Sequence, residues 1–282
     1  NNKEVFSNAQ RTLYADDADV PAGFLLFGSG GRHDRNHVHP VRLNWEALYV
    51  NTDVLEQNGL SVPTNYEELV TVCAVLAQKG VTPIANALCE WSEIALDCAA
   101  MLGAPADQYG QQTSLDGAKS VLTALTQVGA FGVDPWNLTD EDAKNTFLEG
   151  VAAMRFDGSD LAELIGEARQ ENVAVVSLSG MDGQARTALV GTPSYGLAIT
   201  RACWQDSTRR EAALSLVTRL LTGNGAAALA SPASTTKLGQ SIAQMTASAS
   251  DCAGLLYDLN PDSFDSWTES VIASLMEIGR AH

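Results

Sequence analysis

Basic residues are scarce: 17 lysines and arginines stand against 34 acids, for a net charge of −17. A chain this acidic repels phosphate backbones, which argues against nucleic acid and anionic membrane surfaces as partners. Its acidity reads as a solubility device. Long apolar runs are missing too, and no stretch approaches the roughly 18 apolar residues of a membrane span. The first residues lack the basic, apolar and small-residue order of a leader, so an exported form is expected to carry its leader upstream of Asn1. Five cysteines occur, at 73, 89, 98, 203 and 252, without a Cys-x-x-Cys pair. Neither a zinc knuckle nor a thioredoxin-like redox site is therefore indicated. Cys89 and Cys98 could bridge, and the odd total leaves at least one thiol over. Nucleotide fingerprints fail as well. FGSGGR (27–32) begins a G-x-G pattern but meets His33 where a third glycine is required, and no Gly-Lys-Ser/Thr follows. The cluster reads as a flexible turn, and no cofactor is indicated.

Two features imitate catalytic motifs. HDRNHVHP (33–40) gathers His33, Asp34, His37 and His39, all possible metal ligands, and a metal-dependent enzyme built on them is the rival reading. The run lacks helical His-Glu-x-x-His spacing and has arginines threaded through it, so it reads as a solvated loop with no metal. GTPSYG (191–196) resembles a nucleophile elbow, but its upstream glycine comes one position too early. Its flanks read strand–turn–strand, and no histidine outside the early loop except His282 could serve as a base. An enzymatic role is not expected.

What is present is a globular composition, 45% hydrophobic and 18% charged, in 282 residues, enough for one large domain or two lobes. Residues 41–50 read as a strand. Tyr66, Leu69, Val70, Cys73, Leu76 and Ala77 share one face of a helix that a Thr64–Glu67 capping box opens and Gly80 ends. Cys73 on that face packs as a small hydrophobe. VTPIAN (81–86) reads as a short buried strand, and helices follow at about 91–103, 114–128 and 140–149. The last opens on Thr139-x-x-Asp142. Strands are expected at 151–157, 173–179 and 188–200, and helices at 159–170, 208–222, 225–230, 237–247 and 263–279. Alternation of strand and helix argues for α/β architecture, rich in helix.

Aromatic and polar residues stand at strand ends and helix starts. Trp45 and Tyr49 lie on or beside the first strand, Trp91 opens a helix, Asp157, Ser159 and Asp160 follow a strand, Tyr195 follows a turn, and Trp267 lies on the last helix. Polar groups converge beyond strand ends in open α/β sheets, and aromatic rings stack on apolar sugar faces.

Three stretches carry a family resemblance. LYVNTDVLEQNGLSVPTNYEELVTVCAVLAQKGVTPIA (48–85) resembles the signature of the family 1 extracellular solute-binding proteins, the maltose-binding-type receptors of ABC importers. FLEGVAAMRFDGS (147–159) and GLAITRACWQDSTRREAALSLVTRLLTGNGAAALA (196–230) resemble two further family segments, in the family's order. The resemblance implies a two-lobed, type II periplasmic-binding-protein-like α/β fold, with residues 1–44 and 189–236 in the first lobe and 45–188 and 237–282 in the second. It implies a carbohydrate or similar polyhydroxylated ligand in a cleft lined by Asn44, Trp45, Trp91, Ser159, Asp160, Tyr195 and Trp267. It also implies closure by hinge motion, docking to an importer permease, a monomer, and an extracytoplasmic location as periplasmic protein or cell-surface lipoprotein. Two departures stand out. Asp160 replaces a frequent family tryptophan, favouring hydrogen bonds to hydroxyls or an amine over stacking. The family's opening βαβ units have no counterpart in residues 1–40, so the first lobe is expected to be incomplete. A degenerate domain acting as a sensor or interaction module is the alternative that this second departure raises.

Overall fold

Ala47, Leu48, Tyr49 and Val50 are apolar in sequence and all buried, as a strand covered on both faces requires. They belong to β1 (His39–Asn51) in a computed structural model that describes residues 39–88, 93–104, 112–135, 137–176, 178–184, 189–197, 199–221 and 235–249. β1 lies between β2 (Met154–Gly158) and β3 (Val173–Val176), antiparallel to both, and β4 (Leu189–Leu197) also pairs with it. The register sets Tyr49 opposite Arg155 on one side and Val175 on the other, and Leu48 opposite Phe156 and Val176. Side chains alternate along a strand, so Ala47, Tyr49, Arg155, Asp157 and Val175 share one face.

That face is roofed by helices. Ala47, Tyr49 and Val175 form one core with Phe147 and with Leu161, Ala162, Ile165 and Leu238. Phe147 comes from α5 (Asp140–Leu148), and its ring meets the Tyr49 ring edge-on with centroids 6.4 Å apart.

The helices between follow largely from local chemistry. α1 (Thr52–Gln57) leaves the end of β1 directly, and α2 (Tyr66–Gln78) buries Leu69, Val72, Cys73 and Leu76 at helical spacing. Burial pushes the Cys73 thiol up, so it stays protonated and packs as expected from the sequence. The cap of α2 lies one residue later than Thr64. Asn65 is the N-cap and accepts from the Glu68 N–H, while the Glu68 carboxylate reaches back to the Thr64 N–H at 2.8 Å and hydroxyl at 2.9 Å. Glu68, not Glu67, closes the box because it stands three residues after the true cap. These bonds hold the Glu68 carboxyl below its ordinary range. In α5 the expected cap is present: Thr139 accepts from the Asp142 N–H at 3.1 Å.

α3 (Glu93–Gly103) and α4 (Gln112–Gln127) cross where Gly103 meets Gly117. A Cβ on Gly117 would stand 2.5 Å from the Gly103 carbonyl oxygen and 2.6 Å from its carbonyl carbon, backbone atoms that cannot rotate away. Gly117→Ala adds about 1 kcal/mol of helix propensity, but overpacking costs about 1–3 kcal/mol. A net loss of roughly 1 kcal/mol is expected in urea unfolding. A midpoint at or above wild type would show that the helices separate freely.

Two expected elements differ. Residues 81–86 make a single parallel bridge, Ile84 to Met154, rather than a strand. Pro83 has no N–H to give, and the Asn86 side chain takes over the pairing, accepting from the Phe156 N–H at 3.0 Å and donating to its carbonyl at 2.9 Å. The expected helix over 159–170 is broken into α6 (Leu161–Leu164) and a 3₁₀ turn at Glu167–Arg169. Ile165 is drawn into the core in an extended conformation, and Gly166 follows it extended as well.

The chain divides into two compact units, with boundaries inside β1 between Asn44 and Trp45 and inside β4 between Val190 and Gly191. The larger holds Trp45–Val190 and Pro232–Ala249. Within it α9 (Lys237–Ala249) packs on β3, and Ser241 accepts the Val175 N–H at 2.9 Å. The smaller includes Gly191–Ser231, with α7 (Arg201–Gln205) and α8 (Ser207–Leu221). Thr200 caps α7, and the Arg210 guanidinium lies over the Trp204 ring at 5.5 Å. The helices expected at 225–230 and 263–279 lie outside the described residues, as do Cys89 of the possible bridge and the histidine loop apart from the His39 backbone.

Candidate functional site

β2 is an apolar strand interrupted by two charges. Arg155 and Asp157 stand two residues apart and so face the same way. Arg155 is 1% exposed and makes hydrogen bonds to three partners. Its Nε donates to Asp157 Oδ2, one terminal nitrogen to the Ala85 carbonyl at 2.7 Å, and the other to both Asp140 oxygens at 2.8 and 3.0 Å. Asp140 is the first residue of α5, so one guanidinium ties that helix, the 81–86 segment and β2 together. The planar fork of arginine suits this arrangement, in which each edge meets a different acceptor.

The network ends at a turn. Asp157 Oδ1 accepts the Gly158 N–H at 2.8 Å, and the Tyr49 hydroxyl donates to the Gly158 carbonyl at 2.9 Å. Ser159 and Asp160 follow. Ser159 is buried, whereas Asp160 is exposed and precedes α6. Glu46 is the last β1 residue paired with β2, opposite Gly158. Trp45 precedes Glu46, and Ser159 and Asp160 follow Gly158. The antiparallel ladder therefore brings the Trp45 backbone and the Ser159–Asp160 turn to the point where the pairing of β1 with β2 ends.

A second polar centre sits at the C-terminal end of β1. Asn51 is fully buried; its amide donates to the Phe147 carbonyl at 3.0 Å and the Ala152 carbonyl at 2.7 Å, and its oxygen accepts from Arg169 at 2.6 Å. The Arg169 guanidinium rests on Gly150, whose φ of +77° and lack of a side chain make room for it; a Cβ there would strike the guanidinium. Asn51 and Gly150, both within the stretches that carry the family resemblance, are thus partners in a strut rather than ligand contacts.

Of the residues singled out in the sequence, the structure brings the Trp45 backbone, Ser159 and Asp160 to the end of the β1–β2 ladder. Asn44 lies on β1 and Tyr195 on β4, both in the smaller unit. Trp91 and Trp267 lie outside the described residues. Sequence reasoning passed over Arg155, Asn86 and Asn51. The available signal was a charge or amide inside an otherwise buried run.

Residues 14–273 match the family model described as bacterial extracellular solute-binding protein. The chain belongs to that family. Its helix-rich α/β fold is the two-lobed one shared with solved solute-binding proteins. A chitin oligosaccharide binding protein aligns with a TM-score of 0.61 at 14% identity, covering 92% of this chain and 76% of that one. A family 1 extracellular solute-binding protein from Bifidobacterium longum subsp. infantis aligns at 0.61 and 17% identity, over 94% and 73%. A sugar transporter from Arthrobacter chlorophenolicus A6 with bound laminaribiose aligns at 0.57 and 14% identity, over 96% and 74%. In sequence, a probable sugar-binding periplasmic protein of Rhizobium meliloti (strain 1021) is 27% identical over 156 residues, half of this chain. The solute-binding protein spans 36% of that relative's length.

Proposed function

We propose that this solute-binding protein captures a carbohydrate or similar polyhydroxylated molecule and presents it to the permease of an ABC importer. The observation that carries the reading is the exposed Asp160 carboxylate on a turn pinned to the core, just past the end of the β1–β2 ladder that the Trp45 backbone also adjoins. A carboxylate accepts hydrogen bonds from adjacent hydroxyls, and an indole offers a flat apolar platform for the sugar ring. The relative from R. meliloti, described as sugar-binding, and the laminaribiose-bound neighbour point the same way. The remaining contacts in this reading are Asn44, Trp91, Ser159, Tyr195 and Trp267. The protein acts as a monomer outside the cytoplasm, in the periplasm or as a cell-surface lipoprotein.

Calorimetric titration with maltose, laminaribiose, chitobiose and xylobiose tests the reading. At least one is expected to bind, and Asp160→Ala to weaken it about tenfold or more, the worth of a hydrogen bond to a charged group. Silence across the panel from a cooperatively folded chain would count decisively against it.

A further inference from the structure

Glycine at the pivot of a binding turn is a disadvantage, because both peptides flanking its Cα can swing. Here neither is left to swing. The peptide before the Gly158 Cα gives its N–H to Asp157, and the peptide after it gives its carbonyl to the Tyr49 hydroxyl. Both clamps are themselves held. Asp157 is fixed through its other oxygen by Arg155, which is anchored on Ala85 and Asp140. Tyr49 is fully buried, and Phe147 packs edge-on against its ring. The register sets Tyr49 opposite Arg155, so its hydroxyl reaches three residues along β2 to the last carbonyl of the strand.

We propose that Tyr49 and Asp157 are positioning residues for ligand capture: they lock the two peptides of Gly158 so that Asp160 is presented in a single orientation. The inference rests on the reading that Asp160 meets the ligand. Neither residue touches the ligand. Each raises affinity by removing an ordering cost that a free glycine pivot would impose at binding. A hydrogen bond that merely satisfied a buried carbonyl would affect stability alone, which separates the two cases experimentally.

The experiment is a double-mutant cycle on the full chain. Maltose, laminaribiose, chitobiose and xylobiose are titrated into wild type, Tyr49→Phe, Asp160→Ala and the double variant. Tyr49→Phe is expected to raise Kd roughly three- to tenfold when Asp160 is present. With Asp160 replaced, it should add nothing, because the two act through one turn. An unchanged Kd, or the same fold-change in both backgrounds, would overturn the inference while leaving the ligand reading intact. Wild-type silence toward all four sugars would overturn the ligand reading and this inference with it. Amide exchange in ligand-free protein supplies a second readout. Faster exchange confined to residues 158–160 in Tyr49→Phe supports the clamp; faster exchange throughout β1 and β2 reveals a general structural defect and overturns it.

Discussion

Arg155→Met is expected to cost about 3–5 kcal/mol of stability, because it breaks a buried ion pair from one side. The magnitude follows from what is left behind. Asp157, with a side chain 12% exposed, loses its cation, and the buried Ala85 carbonyl loses its donor. Asp140, at 29%, still reaches water and contributes less. Arg155→Lys recovers only part, since an ammonium cannot present two edges to three acceptors. Adding Asp157→Asn to Arg155→Met removes the stranded charge and should restore some of the loss, so the two effects are not additive. Urea unfolding followed by circular dichroism measures all four proteins. A loss below about 1 kcal/mol for Arg155→Met would mean that water replaces the guanidinium without cost, against the burial seen here.

Asn51→Asp is expected to cost about 2–4 kcal/mol although it changes only an amide into a carboxylate of the same shape. Two buried carbonyls lose their donors at about 1–3 kcal/mol each, and a carboxylate then faces the oxygens of Phe147 and Ala152. Arg169, already 2.6 Å from the Asn51 oxygen, offsets part of this. The damage should appear first where those carbonyls lie, at the end of α5 and before β2. Hydrogen exchange resolved by residue checks both magnitude and place. An Asn51→Asp protein as stable as wild type would show that the strut bears little of the fold's stability.

Neither residue announced its role in the sequence, whereas other features were plain there. The Leu69, Cys73 and Leu76 positions of the α2 stripe, the Thr139 cap of α5 and the strand character of 47–50 depend on neighbours within four residues, and spacing alone records them. The cap of α2 was legible in kind and displaced by one position, since Thr64 and Asn65 are both competent caps and only the Glu68 contacts choose between them. Of the site, the clustering of polar residues after β2 was visible. The division between a buried Ser159 and an exposed Asp160 was not.

The family signature, the acidic charge that argues against phosphate partners and most of the described strands and helices were legible in the sequence itself, because each is a matter of composition or local periodicity. Tertiary structure alone decided how Asn51 closes on carbonyls 96 and 101 residues away and how Tyr49 reaches Gly158 across 109. It also decided that Asn86 takes the place of a strand by pairing with Phe156 across 70 residues. Those bonds depend on which strands become neighbours and in what register, and no local spacing encodes that choice.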